Sequence, residues 1–151
     1  MLKLKQIVVS KENSPGPLFE ATHAFGNAGI NLRALNLVDT GAFGQLQLMV
    51  SDVAKARRLL MEMDIPAMVN EVLTAEIEDR PGRLAIVLKP ILDANVQVVF
   101  MYVFLRKDSD RAVMIFRFSD NDKAIAIMKE NGMTLLDAKQ FGSLENSLAA
   151  S

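Results

Sequence analysis

Few side chains here could do covalent or metal chemistry. There is no cysteine, which excludes thiolate nucleophiles, thiolate metal sites and disulfides, and fits a reducing compartment. His23 is the sole histidine and has no cysteine partner, so neither a nucleophile–base pair nor a metal cluster can be built around it. With no phosphate-binding loop either, the residues speak against an enzyme and against a bound cofactor or metal. What stands out instead is a doubled Pro-Gly stretch. Glu12-Asn13-Ser14-Pro15-Gly16-Pro17-Leu18 is echoed by Glu78-Asp79-Arg80-Pro81-Gly82-Arg83-Leu84. The simplest use of such a pair is a strand-to-helix turn, and any further chemistry it offers is that of the exposed backbone.

Each stretch follows an extended apolar run and opens a segment of helical apolar spacing. The two glycines lie 66 residues apart, and the offset continues past them. Leu18 maps to Leu84, Phe25 to Ile91, Ile30 to Val96 and Leu32 to Val98. After one loop the offset becomes 68, so that Val50-Ser51-Asp52 matches Phe118-Ser119-Asp120. The chain is a tandem repeat with a two-residue insertion in one loop.

In the first unit the patterns predict a strand over Lys3 to Ser10, then a helix with Pro15 at its first position and Gly29 just past its end. Strands Ile30 to Val38 and Gly44 to Val50 follow. A helix capped by Asp52 is then ended by Pro66. Ala67 to Glu78 must both close this unit and open the next. It contains no hinge residue, so the two units are expected to be rigidly joined. The second unit predicts a helix loosened or kinked at Pro90 and ending at Asn95. Strand Val96 to Leu105 is almost continuously apolar, which predicts cover on both faces, one by helices and the other by a second sheet or partner chain. Strand Ala112 to Phe118, a helix whose start resembles a capping box at Ser119 to Asp122, and strand Thr134 to Phe141 complete the plan. Ser143 to Ser151 reads as a frayed tail. The expected domains are 1–72 and 73–142, with 143–151 as the tail.

Two βαββαβ units imply an α+β fold: tandem ferredoxin-like sandwiches with antiparallel sheets. Net charge is −1 with both signs interspersed, which leaves no electrostatic footprint for nucleic acid or an anionic membrane. The apolar run near the N-terminus is too short for a signal segment, and no uncharged run approaches the ~20 residues of a membrane span. A soluble, cytoplasmic protein is the expectation.

Within that fold the pattern resembles the ACT domain, the small-molecule sensing module of amino-acid metabolism, and most of all the free-standing tandem ACT proteins. The resemblance is carried by Asn13-x-Pro-Gly-x-Leu followed by Ala-Gly-Ile-Asn (28–31), and by Asp79-Arg-Pro-Gly-x-Leu followed by Ala-Asn-Val (94–96). It implies a regulatory, non-catalytic sensor that binds an L-amino acid and assembles as a homodimer or larger homo-oligomer. Its ligand sites would lie where a Pro-Gly loop faces the second strand of a neighbouring unit. The implied contacts are Asn13, Pro15, Gly16, Pro17, Leu18, Ile30, Asn31 and Leu32 in the first unit. In the second they are Asp79, Arg80, Pro81, Gly82, Arg83, Leu84, Val96, Gln97 and Tyr102. Glycine would let the ligand approach the backbone, and the first amides of the helix would meet its carboxylate. Asp79 could take the amino end by charge and Asn13 only through its carbonyl oxygen. Pro17 removes one donor that Arg83 retains, which favours the second loop. Each of these residues also has a plainer use: Asn13 as a helix cap, Tyr102 as a core aromatic, Asn31 and Gln97 as solvent-face strand residues. The alternative function is an assembly module that no longer binds ligand.

Overall fold

The computed structural model describes residues 1–12, 16–39, 41, 43–105 and 109–149, with side chains for all but 11, 12, 104, 105 and 145–149. The elements run β1 (Lys3–Glu12), α1 (Pro17–Asn27), β2 (Leu32–Asp39), β3 (Phe43–Val50), α2 (Val53–Glu62), β4 (Ala67–Glu78), α3 (Arg83–Asp93), β5 (Val98–Leu105), β6 (Arg111–Phe118), α4 (Asn121–Glu130), β7 (Thr134–Leu136) and α5 (Ala138–Ala149). Two units emerge. The N-terminal unit is Lys5–Asn70, and the C-terminal unit joins Met1–Leu4 to the chain from Glu71 onward.

Both units are α+β, with strands in the ferredoxin-like order. In the first, β1 lies between β3 and the start of β4, with β2 outermost; in the second, β4 lies between β6 and β7, with β5 outermost. The pairings are antiparallel and repeat in register. Ile7 opposes Leu48 and Val9 opposes Leu46, just as Leu73 opposes Phe116 and Ala75 opposes Met114.

Under the sequence offsets the two cores match position for position. Ile7, Val9, Ala21, Phe25, Ile30, Leu46, Leu48, Val50, Ala56 and Leu60 form the first. Leu73, Ala75, Val87, Ile91, Val96, Met114, Phe116, Phe118, Ala124 and Met128 form the second. Alternate strand residues face two amphipathic helices in each unit, α1 with α2 and α3 with α4. The helices also end alike. Gly29, Asp64, Asn95 and Gly132 all have positive φ, and the next residue's N–H reaches back to the helix: Ile30 to the Phe25 carbonyl, Ile65 to Leu60, Val96 to Ile91 and Met133 to Met128. Each end is a Schellman motif that satisfies otherwise orphaned carbonyls.

Several expectations need correction. The first helix begins at Pro17, not Pro15, with Gly16 as its cap. Pro15 and Asn13 lie outside the described residues. The third helix continues through Pro90 to Asp93. The last strand stops at Leu136, and α5 occupies the place read as a frayed tail. Asp137 and Gln140 explain its start: Asp137 Oδ1 accepts from the Gln140 N–H at 2.7 Å, and Gln140 Oε1 accepts from the Asp137 N–H at 2.9 Å. That reciprocal pair is a capping box, and Phe141 anchors the first turn by burial.

The apolar strand is the largest correction. As an outer strand, β5 has one paired neighbour, and none of its described side chains joins the core cluster. Met101 and Val103 are 40% and 49% exposed. They oppose the core residues Phe116 and Met114 and so lie on the helix-bearing face. Leu35 and Leu37 hold the same repeat positions in β2, opposite Leu48 and Leu46, and are 54% and 46% exposed.

On the face away from the helices the units diverge. The first buries an amide layer in which the Gln6 Nε2 donates to Asn70 Oδ1 at 3.2 Å and the Asn36 Nδ2 donates to Gln47 Oε1 at 3.0 Å. Asn36 and Gln47 are opposite neighbours in the ladder. At the equivalent places the second unit has Tyr102 opposite Ile115, with Val72 in place of Gln6. Buried amides must be paired to be tolerated, whereas Val72 and Ile115 carry no such demand.

Candidate functional site

The second Pro-Gly loop joins the end of β4 to the start of α3. Arg80, Pro81, Gly82 and Arg83 make a tight turn in which the Arg83 N–H donates to the Arg80 carbonyl at 3.3 Å. Gly82 has φ 86° and ψ −11°. Proline at the second position and a positive-φ glycine at the third are the requirements of a type II turn. The turn is tied at its entry by the Asp79 N–H, which donates to the Asp110 carbonyl at 2.7 Å. Gly82 then caps α3, its carbonyl accepting from the Ile86 N–H at 3.2 Å.

Charges gather at the loop. Glu78 Oε2 receives the Arg80 guanidinium and lies 3.9 Å from Arg83 Nε. These side chains are part-exposed, so the cluster orients the arginines more than it stabilises the fold. Asp79 is exposed and forms no ion pair with a described residue.

Beside the loop is a cavity of about 310 Å³, lined by Ile77, Glu78, Asp79, Arg80, Leu84, Met101, Tyr102, Val103, Ala112 and Met114. β4, β5 and β6 form its wall, and α3 supplies Leu84. Burial pushes the Tyr102 hydroxyl well above the ordinary tyrosine range, so it is neutral at any physiological pH. Its ring stacks on Phe100 with centroids 6.3 Å apart. A second cavity of about 250 Å³, also lined by Ile77 and Glu78, holds Glu76, Arg83 and Arg111 with the α4–β7 turn.

Of the residues singled out in the sequence, the first cavity brings together Asp79, Arg80, Leu84 and Tyr102. Arg83 lines the second cavity, while Pro81 and Gly82 shape the turn without lining either. Val96 is a core residue following α3. The Gln97 backbone is taken up by Ser119, with its N–H donating to Ser119 Oγ at 3.0 Å and its carbonyl accepting from the Ser119 N–H at 2.9 Å.

The first unit repeats this clamp. The Asn31 N–H donates to Ser51 Oγ at 2.9 Å and the Asn31 carbonyl accepts from the Ser51 N–H at 3.0 Å. Ile30 is buried in the core, against which Leu18 and Leu32 pack, and Gly16 and Pro17 start the helix. Ser119 therefore does not cap α4 itself. That role falls to Asp120, whose Oδ1 accepts from the Lys123 N–H, as Asp52 does for Lys55. Lys55 and Lys123 have a matched role too: their Nζ atoms donate to the carbonyls of Ala28 and Ala94, at 2.7 and 3.0 Å.

The sequence reading passed over Ile77, Glu78, Met101, Val103, Ala112 and Met114. The signal for most of them was present in the period-two alternation of three strands whose helix-side residues converge on the loop. His23 is exposed and stacks on Phe19, with centroids 5.2 Å apart, and its Nε2 lies 3.3 Å from Asn27 Nδ2. No cluster of three or more metal-ligating side chains occurs among the described residues. No helix among them is long and apolar enough to cross a membrane.

Comparison with known proteins adds the family. A family model described as an ACT domain pair matches residues 2–145. A protein of known structure from Bacteroides thetaiotaomicron is 31% identical, with a TM-score of 0.87 over 93% of this chain and 96% of its own. The regulatory subunit of aspartate kinase from Thermus thermophilus, solved ligand-free, is 15% identical, with a TM-score of 0.64 over 85% of this chain and 90% of its own. The corresponding subunit from Thermus flavus gives 14% and 0.59, covering 85% and 90%. At these identities the two kinase subunits speak to fold alone. No curated protein matches the chain.

Proposed function

The chain belongs to the family of ACT domain pairs, and on that footing we propose that it is a non-catalytic regulatory sensor that binds an amino acid beside its Pro-Gly loop and works as a homo-oligomer in the cytoplasm. The observation that carries this is the cavity at the second loop, where Asp79 and the first turn of α3 meet an apolar wall. Asp79 supplies charge for an ammonium group. The helix start supplies the positive end of a dipole for a carboxylate, with Leu84 and Ala85 next in line as donors. The Arg83 N–H is not among those donors, because it closes the turn.

The cavity lies between the loop and the second strand of its own unit, which supports a site walled within one unit. The sensing role fits what the Thermus thermophilus relative is named for, a regulatory subunit. The test is thermal denaturation in the presence of each common amino acid. A ligand at 100 times its dissociation constant should add ~2.7 kcal/mol of stability, and no shift with any of them would refute the sensing role.

A second reading, an assembly module without a ligand, is favoured by one observation. The outer strands of both units carry matched exposed apolar pairs, Leu35 with Leu37 and Met101 with Val103. Sedimentation separates the readings: oligomers that form unchanged with every amino acid, and no thermal shift, would leave assembly as the function.

A further inference from the structure

We infer that the amino acid taken by the C-terminal unit has an uncharged aliphatic side chain of the leucine, isoleucine, valine or methionine class; this rests on the amino-acid reading above. The cavity divides into two chemically distinct ends. One is walled by six apolar side chains: Ile77 from β4, Met101 and Val103 from β5, Ala112 and Met114 from β6, and Leu84 from α3. The other holds Glu78, Asp79 and Arg80.

The charges at that second end are not equivalent. Arg80 and Arg83 are committed to Glu78, so the acid and both arginines largely answer one another. Asp79 is exposed at this end and has no such ion pair with a described residue. An α-ammonium group placed at Asp79 leaves the side chain of the same molecule facing the apolar end.

A charged side chain there would be desolvated with no partner, and a hydroxyl would lose its water without a replacement. A methyl-bearing chain instead covers Met101 and Val103, which are about half exposed. A volume of about 310 Å³ is small, at the lower edge of the ~300–1,000 Å³ typical of small-molecule sites. It suits an amino acid.

The chain itself provides the probe. Tyr102 is the only tyrosine and there is no tryptophan, so the intrinsic emission of the full-length protein comes from the strand residue between two wall residues of this cavity, Met101 and Val103. The experiment titrates that emission, with calorimetry in parallel, using leucine, isoleucine, valine, methionine, alanine, serine, lysine and aspartate. The four aliphatic amino acids should bind. Alanine should bind about tenfold or more weakly, as expected when methylenes are lost from an apolar pocket, and lysine and aspartate more weakly still. Met101→Glu puts a charge in the wall at a part-exposed outer-strand position. It should abolish leucine binding with the circular dichroism and melting temperature unchanged. Ala112→Leu fills the cavity from β6 and should do the same; should that variant fail to fold, Met101→Glu decides alone. Serine, lysine or aspartate binding as tightly as leucine, or leucine binding indifferent to Met101→Glu, would overturn the aliphatic preference and leave amino-acid sensing standing. No binding of any amino acid by either method would overturn both.

Discussion

The two Pro-Gly turns hold the same place in the repeat, and the helix after each begins at the equivalent residue, Pro17 in one and Arg83 in the other. Their glycines nevertheless take opposite backbone conformations. Gly16 is right-handed at φ −87°, whereas Gly82 is left-handed at φ 86°. The next residue gives the reason. The turn around Gly82 is closed by the Arg83 N–H, and Pro17 has no N–H to offer. The proline at the helix start thus leaves Gly16 without the hydrogen bond that closes the turn around Gly82. A shared Pro-Gly signature marks where a helix begins; it does not fix the shape of the loop a ligand would meet.

The sharpest way to break this comparison is to place a Cβ on each glycine. Gly82→Ala should cost ~1–2 kcal/mol, because an L-residue is strained at that φ although space for the methyl is open. Gly16→Ala should cost less than this, because its φ is open to any residue and the new Cβ is opposed mainly by the Pro17 ring, which disfavours a helical conformation in the residue before it. Beyond its chain neighbours the Cβ would meet Glu20 Oε1 at 3.6 Å, an ordinary contact. Urea unfolding of both variants checks this, and equal losses would mean the two turns do not differ as described.

The serine clamps are where the units should agree. Ser51→Ala and Ser119→Ala each remove one hydrogen bond to an exposed strand entry, at ~0.5–1.5 kcal/mol apiece. The same unfolding measurement should return matching values, and a clear inequality would show that the repeat is not energetically symmetrical there.

The smallest effect, a loss seen only in alkaline solution, comes from the face away from the helices. Tyr102 stands where the first unit has Asn36, and burial raises its pKa above the ordinary value of 10.0. A raised folded pKa means that this contribution to stability is complete below about pH 10 and is lost as pH rises beyond it. Tyr102→Phe should remove that alkaline component, whereas Asn36→Leu should leave it in place. The ionisation itself can be followed by phenolate absorbance, since no other tyrosine contributes. A normal titration midpoint would mean the hydroxyl is solvated.

The parts of this fold legible in the sequence were those set by local rules. The repeat offset paired Phe25 with Ile91, Ile30 with Val96 and Val50 with Phe118, all of them core pairs, and Gly29 and Asn95 marked helix ends because few residues accept positive φ. What was lost depended on partners distant in sequence. Val99, Met101 and Val103 read as covered because an apolar run does not disclose that its strand is outermost. The Arg83 N–H looked available to a ligand because nothing in the sequence says the turn uses it. That the Gln97 backbone is held by Ser119, some twenty residues on, was equally hidden. The capping box at Asp137 and Gln140 was readable but hidden by an alternating run that suited a strand equally well.

One strand also sets how the molecule can be divided. β4 begins in the N-terminal unit and passes into the other between Asn70 and Glu71, while Met1–Leu4 is grouped with the later residues. No single cleavage of the polypeptide therefore yields two whole halves. A protease nick after Asn70 would strand the first four residues on the wrong fragment and cut a β-strand rather than a tether. For anyone seeking to express one half alone, the usable boundary is not a point on the chain.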